Sequence, residues 1–284
     1  MQGAELVAAE VGGLVSLPEV ATRILHVADD PASTAEDVGR VILQDAALVA
    51  RLLRAANSPA LGLRGTVDTV SRAVVVLGVR QVRDLALGLC ATRSFDGIPT
   101  ALMDVDAFWH HSLLTALCAR HLAQRVPRLR AESVFVAGLL HDVGQLLLCR
   151  ARPQQEQAAL LMTVDAPGEP DLHECERQLL GFDHADVGGA LAQLWGLPDH
   201  LAECIACHHR PATAVVAPLE VAVVHLANSL AVLAEVGSGD WLDAPPVRDE
   251  AWQRTGLTPA NCLDIPPLAL AELADAKRAF GLQK

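Results

Sequence analysis

The sequence predicts an all-α fold, and three observations carry the prediction. Apolar residues recur at three- and four-residue intervals along nearly every stretch. Few segments alternate apolar and polar residues for long enough to form a strand. Hydrophobic residues make up 51% of the 284 residues against 20% charged, with a mean hydropathy of +0.30, so the helices have a sizeable core to bury and the chain is not disordered.

Taken in order, Leu17-Pro18-Glu19 opens a helix carrying Ile24, Val27 and Ala28, which the turn Asp29-Asp30-Pro31 closes. Ser33 or Thr34 caps the next, with Glu36 and Asp37 at its positive end and Val38, Val41 and Ile42 as its buried stripe. A helix over 48–56 follows. The valine-rich run 73–77 could pass for a strand, but Ser71 stands before it as a cap and Gly78 after it as a terminator, so it reads as a short helix. After a break at Gly97 and Pro99, helices are expected over about 105–125, 131–150, 184–195, 198–210 and 219–236. The Gly-, Pro- and Asp-rich stretch 237–246 reads as a linker. The chain divides accordingly into an N-terminal helical part (1–98), a central helical part (99–236) and a C-terminal helical extension (237–284).

Composition removes several function classes. Lys plus Arg is 22 and Asp plus Glu 34, giving a net charge of −12, the wrong sign for bulk nucleic-acid binding. Aromatics are 3% and tyrosine is absent, which removes stacking platforms and any chemistry that needs a phenol. The longest apolar candidate for a membrane span, 221–234, is interrupted by His225, Asn228 and Ser229, so no span is expected. The start, with two Glu and no Lys or Arg, lacks the features of a secretory signal, and a cytoplasmic location is the expectation. Seven cysteines, an odd number, suit reduced thiols packed as small apolar residues. Arg51, Arg54, Arg64, Arg72, Arg80, Arg83 and Arg93 meet only Asp68 and Asp84 over their stretch. That segment is a solvated face or, in the sharper reading, a docking patch centred on Arg80 and Arg83.

The sharpest chemical feature is His141-Asp142, set in the apolar run 136–148. Adjacent helical positions diverge by about 100°, so the two side chains would flank one edge and could grip a cation that takes further ligands from elsewhere. His111 shares a stripe with Leu114, Cys118 and Leu122, which turns its imidazole toward the core; His184 follows Asp183, a candidate cap; His208-His209 ends a helix just before Pro211. Neutral histidines and an ionised aspartate suit Zn, Mn or Fe. The plainer reading is a polar seam in which the histidines bond one another and backbone carbonyls. Cys204-Ile-Ala-Cys-His208 spells a haem-attachment string, but attachment requires export, and Leu201, Cys204, Ile205 and His208 follow the spacing of a buried helix face. His200, Cys204, Cys207 and His208 also share a side, yet one helix does not wrap four ligands around one ion. Trp109, Trp195, Phe108 and Phe135 sit at apolar helical positions and read as core.

The order His111-Ser112, His141-Asp142, His184, His208-His209 resembles the HD superfamily, and the chain more closely resembles an HDOD domain. The phrases that carry this are Leu17-Pro18, Ile42-Leu-Gln-Asp-Ala-Ala-Leu48, Leu52-Leu-Arg-Ala-Ala-Asn-Ser58, the step Ala73 to Gly78, Trp109-His-His-Ser112, Ala206-Cys-His-His-Arg-Pro211 and Gly256-Leu-Thr-Pro259. Ala46 departs from the family's usual proline. The resemblance implies an HD-like helical fold and a candidate metal site at His111, His141, Asp142, His184, His208 and His209, with no organic cofactor. It also implies a bacterial signal-transduction output module acting in trans through contacts with signalling proteins. Related HD-GYP enzymes cleave cyclic dinucleotides with a metal cluster and a Gly-Tyr-Pro motif. Here there is no tyrosine, Arg210-Pro211-Ala212 follows the double histidine, Asn228 stands where a late ligand Asp is usual, and Gln145 follows Gly144 in place of lysine. The leading expectation is therefore a module with little or no hydrolase activity. The alternative is a metal-dependent phosphohydrolase or phosphodiesterase acting on a nucleotide at the same six residues.

Overall fold

The structure is a computed structural model that describes residues 2–12, 15–30, 32–63, 65–95, 102–127, 129–165 and 171–282. The expected break at Gly97 and Pro99, Arg64, and Pro31 of the first expected turn lie outside the described residues. Every regular element among the described residues is helical: α1 (Gln2–Gly12), α2 (Glu19–Asp29), α3 (Ala35–Ile42), α4 (Ala46–Ala56), α5 (Val70–Leu77), α6 (Val79–Ser94), α7 (Val105–Ala123), α8 (Ala131–Leu140), α9 (Val143–Ala151), α10 (Pro153–Asp165), α11 (Leu172–Leu180), α12 (His184–Leu194), α13 (Asp199–Cys207), α14 (Pro218–Val236), α15 (Asp249–Thr255) and α16 (Ile265–Phe280), with four short 3-10 turns.

Local chemistry sets several boundaries. Thr34 caps α3 in a reciprocal box with Asp37, and Val38, Val41 and Ile42 are buried as the spacing predicts. The cap of α5 is Thr69 rather than Ser71, because Thr69 Oγ1 accepts from the Arg72 N–H at 3.1 Å. Gly78, at φ 86°, ends α5 and starts α6, a conformation that L side chains resist. Helix α13 stops at Cys207, three residues short of the expected end.

The largest departure is in 131–150, expected as one helix and found as two. α8 ends at Leu140, and Asp142 takes φ −101°, ψ 9° before α9 begins. His141 Nδ1 lies 2.8 Å from the Gly138 carbonyl, so the imidazole competes for a helical acceptor exactly where the turn opens. Two stretches, Ser133–Ala151 and Pro218–Val236, are apolar and long enough by composition to cross a membrane, but 83% and 67% of their windows are buried inside the protein. Their apolarity is that of central core helices.

Helix α7 packs against α8, α14 and α16, while α12 packs against α9, α13 and α1. Helix α6 joins the N-terminal helices to α8. The last helix does not trail away. Arg120 on α7, buried, donates to the Pro59 carbonyl at 2.9 Å and to Glu272 on α16, and Arg125 grips Asp264 through two bonds of 2.7 and 2.8 Å. Phe95, Phe135, Trp109 and Phe108 are core; Trp195 is half-buried and packs beside Phe95.

Candidate functional site

Four segments bring the six predicted site residues to one place. His111 comes from α7, His141 and Asp142 from the α8–α9 turn, His184 from the first turn of α12, and His208 and His209 from the end of α13; α14 closes the far side with Asn228 and Glu235. The break at 141–142 matters here. In a continuous helix the two side chains would splay apart, whereas the turn sets His141 Nε2 3.0 Å from Asp142 Oδ2.

Asp142 is the hub. Its Oδ1 lies 3.1 Å from His208 Nε2 and 3.3 Å from His184 Nε2, and its Oδ2 lies 3.9 Å from His111 Nε2. His209 Nε2 approaches His184 Nε2 at 2.8 Å. Close approach of α9 and α12 makes this possible, because Gly144 faces the His184 carbonyl and a Cβ there would meet that oxygen at 1.9 Å. The start of α12 is fixed by Asp183, which caps it in a reciprocal box with Asp186. Two arginines clamp that carboxylate pair: Arg177 reaches Asp183 at 2.8 Å and Asp186 at 2.6 Å, and Arg210 reaches them at 3.2 and 2.7 Å. Arg210 therefore ties the double-histidine segment to α12.

The tautomers follow from the outer partners. A carbonyl only accepts, so His141 Nδ1–H donates to Gly138 and His208 Nδ1–H donates to the Ile205 carbonyl at 2.9 Å. Their Nε2 lone pairs then face the Asp142 carboxylate, and His141 Nε2, His208 Nε2 and Asp142 Oδ1 are all buried without a hydrogen-bond partner. Lone pairs converging on lone pairs in a buried site need a cation between them. Burial opposes charge on His184, but Glu176 and Asp142 hold its imidazole well above the ordinary histidine value. Burial, His208 and His184 push His209 well below the ordinary value.

Two groups of side chains can hold a metal ion around this hub: Asp142, His184, His208 and His209, and a smaller set of His111, His141 and Asp142, with ligand atoms in each set within 4.8 Å of one another. His111 is occupied on both nitrogens, by Asn228 Oδ1 at 2.9 Å and Glu235 Oε2 at 3.1 Å. Burial opposes its protonation, but Glu235 and Asp142 raise it. With both ring nitrogens engaged by α14, His111 has neither free for a metal ion.

A cavity of about 480 Å³ opens onto Asp142, His184 and His209 and is walled by Phe108, Met103 and Arg248. Sequence reasoning passed over His173, Glu176 and His225. His173 stacks on His209 with centroids 4.0 Å apart, Glu176 Oε2 accepts from His184 Nδ1 at 2.7 Å, and His225 links the His208 carbonyl (2.6 Å) to the Arg248 N–H (3.0 Å). Glu176 lies eight positions before His184 on another helix, so no helical spacing exposes the pairing. The haem-like string is packed inward: Cys204, Ile205 and His208 are buried, with Cys207 half-buried. Arg80 and Arg83 line a separate groove; Arg80 is exposed, while half-buried Arg83 is held by Asp84 at 2.8 Å, and Asp84 also meets His200 at 3.1 Å.

The HDOD domain profile matches residues 14–211. An uncharacterized protein of Treponema pallidum (strain Nichols) is 28% identical over 205 residues, which is 72% of this chain but 39% of that protein, so the chain spans about two fifths of the relative's length. Among solved structures, a candidate phosphohydrolase from Shewanella amazonensis SB2B superposes with a TM-score of 0.74 at 24% identity over 98% of both chains, which bears on the fold alone. A protein assigned to signal transduction from Marinobacter aquaeolei VT8 superposes with a TM-score of 0.68 at 25% identity, over 94% of this chain and 59% of that one. With a profile match over most of its length, enclosing His111, His141, Asp142, His184, His208 and His209, this chain belongs to the HDOD domain family.

Proposed function

We propose that this protein is a signal-transduction output module of the HDOD type that works through contacts with signalling proteins. In this reading its histidine centre holds one divalent transition ion, Zn, Mn or Fe, on Asp142, His184, His208 and His209, with little or no phosphoester turnover. The observation that carries the metal assignment is the pair of buried, partnerless acceptors within that set, His208 Nε2 and Asp142 Oδ1, 3.1 Å apart, with His208 turned inward by its outward hydrogen bond to the Ile205 carbonyl. A bound ion of this kind would supply Lewis acidity to a phosphoryl oxygen and lower the pKa of water. The residues around it favour holding over turnover. His111 and Asn228 satisfy each other, so the smaller ligand set lacks an acidic fourth member, and Gln145 offers no charge to a phosphate. The signal-transduction assignment of the Marinobacter protein supports the output role.

One observation favours the hydrolase reading: the 480 Å³ cavity leads to Asp142 and carries Arg248, which could meet an anionic group. The two readings separate experimentally. Elemental analysis of protein purified without chelator should find about one transition ion per chain, lost in His208→Ala, with no release of product from cyclic dinucleotides or nucleotides. Absence of metal from both proteins would end the metal assignment. Turnover abolished by His141→Ala and Asp142→Ala would replace the output-module reading with the enzyme.

A further inference from the structure

Behind His184, away from Asp142, lie two carboxyl groups, of which the site described above uses only one oxygen of Glu176. Glu176 on α11 and Glu156 on α10 are both fully buried. Glu176 spends one oxygen on His184: Oε2 accepts from both the backbone N–H and Nδ1, each at 2.7 Å. Its other oxygen, Oε1, and both oxygens of Glu156 have no donor from any other residue. Helices α10 and α11 pack together, and the Glu156 side chain lies within hydrogen-bonding reach of that of Glu176. Two carboxylates in contact, sealed from water and with no arginine or lysine paired to them among the described residues, cannot both be charged. One proton between them removes the repulsion and satisfies two of the three orphan oxygens at once. Glu176 Oε2 accepts two N–H bonds while neither oxygen of Glu156 accepts any, which makes Glu156 the one to carry the proton.

We propose that Glu156 is a neutral carboxylic acid that donates its proton to Glu176 Oε1, and that this acid–carboxylate pair positions His184 with Nε2 toward Asp142, thereby tuning the affinity of the centre for a divalent metal. Burial and the neighbouring Glu176 push the Glu156 carboxyl up to about 8, in keeping with this assignment. Glu156 is thus a positioning residue. It acts on the centre through Glu176 and touches no ligand atom, and its role requires only a neutral donor at that place. The metal part rests on the function proposed above; the shared proton does not.

The test uses the full chain. In metal-free protein at neutral pH, infrared difference spectra between wild type and Glu156→Gln should show the carbonyl stretch of a buried carboxylic acid that disappears in the variant and shifts in deuterated buffer. Zn2+ alone is then titrated calorimetrically into chelator-treated wild type, Glu156→Gln and Glu156→Ala, with circular dichroism confirming that each is folded. Gln keeps a neutral donor and should bind within about threefold of wild type, whereas Ala should weaken binding by about 10- to 100-fold. Absence of the acid band overturns the proposal, as does Gln binding as weakly as Ala. If wild type binds no Zn2+ but the acid band is present, the metal reading fails and the shared proton stands. Should Glu156→Ala not fold, Glu156→Leu, close in volume and without a donor, takes its place and must show the same loss.

Discussion

Gly144→Ala offers the most direct probe of how the fold builds the centre. A Cβ at Gly144 would stand 1.9 Å from the His184 carbonyl oxygen and 2.7 Å from the Gly188 N–H nitrogen, both backbone atoms of α12. To relieve the closer contact even to 3.0 Å, α12 must back away from α9 by about 1 Å, because backbone has no rotamer by which to yield. Overpacking of this kind costs about 3 kcal/mol, the upper end of its usual range, which for a chain of this size lowers Tm by roughly 6–12 °C. The same retreat takes His184 away from Asp142, now 3.3 Å distant, whereas metal ligands tolerate only about ±0.2 Å. Metal affinity should therefore fall by at least about tenfold. Gly188→Ala is the comparison, since its Cβ would meet the Cγ2 methyl of Ile205 at 2.7 Å and the Gly144 backbone only at 3.3 Å, so α9 and α12 need part far less there. Thermal unfolding and metal titration of the two variants decide the matter. A Gly144→Ala protein with wild-type Tm and affinity, or one no more perturbed than Gly188→Ala, would refute the close-approach argument.

Two further outcomes are expected. Burial holds the His225 imidazole down at about 4, so between about pH 6.5 and 4 the unfolded chain takes up a proton that the folded one declines; stability is present above that window and falls as pH drops through it, by up to about 1.4 kcal/mol per pH unit. Urea unfolding across that range should show a shallower pH dependence in His225→Ala, together with a loss of about 1–3 kcal/mol at pH 7 from the unpartnered His208 carbonyl, and an unchanged slope would contradict the assignment. For the arginine surface, Arg83→Glu puts a carboxylate against buried Asp84 and should cost about 3 kcal/mol, while exposed Arg80→Glu should stay within about 0.5 kcal/mol; equal costs in chemical denaturation would show that the Arg83–Asp84 pair carries no weight.

The linear sequence by itself determined the fold class, the caps of α3 and α12, and the identity of the centre's histidines. Those follow from local rules: three- and four-residue apolar spacing, an oxygen-bearing cap such as Thr34 or Asp183, and ligand-type residues in a family order. Ser71 was outranked by Thr69 as a cap because the two stand two residues apart and only geometry selects the hydroxyl that reaches the Arg72 N–H. Tertiary structure alone decided the rest. It opened the 131–150 helix at His141-Asp142, turned both side chains to one point, paired Glu176 with His184, and tied His111 to Asn228 and Glu235. The reason is distance along the chain: Asn228 is 117 residues from His111. Which lone pairs are left facing inward depends on partners supplied by other helices, and these meet only once the core has packed.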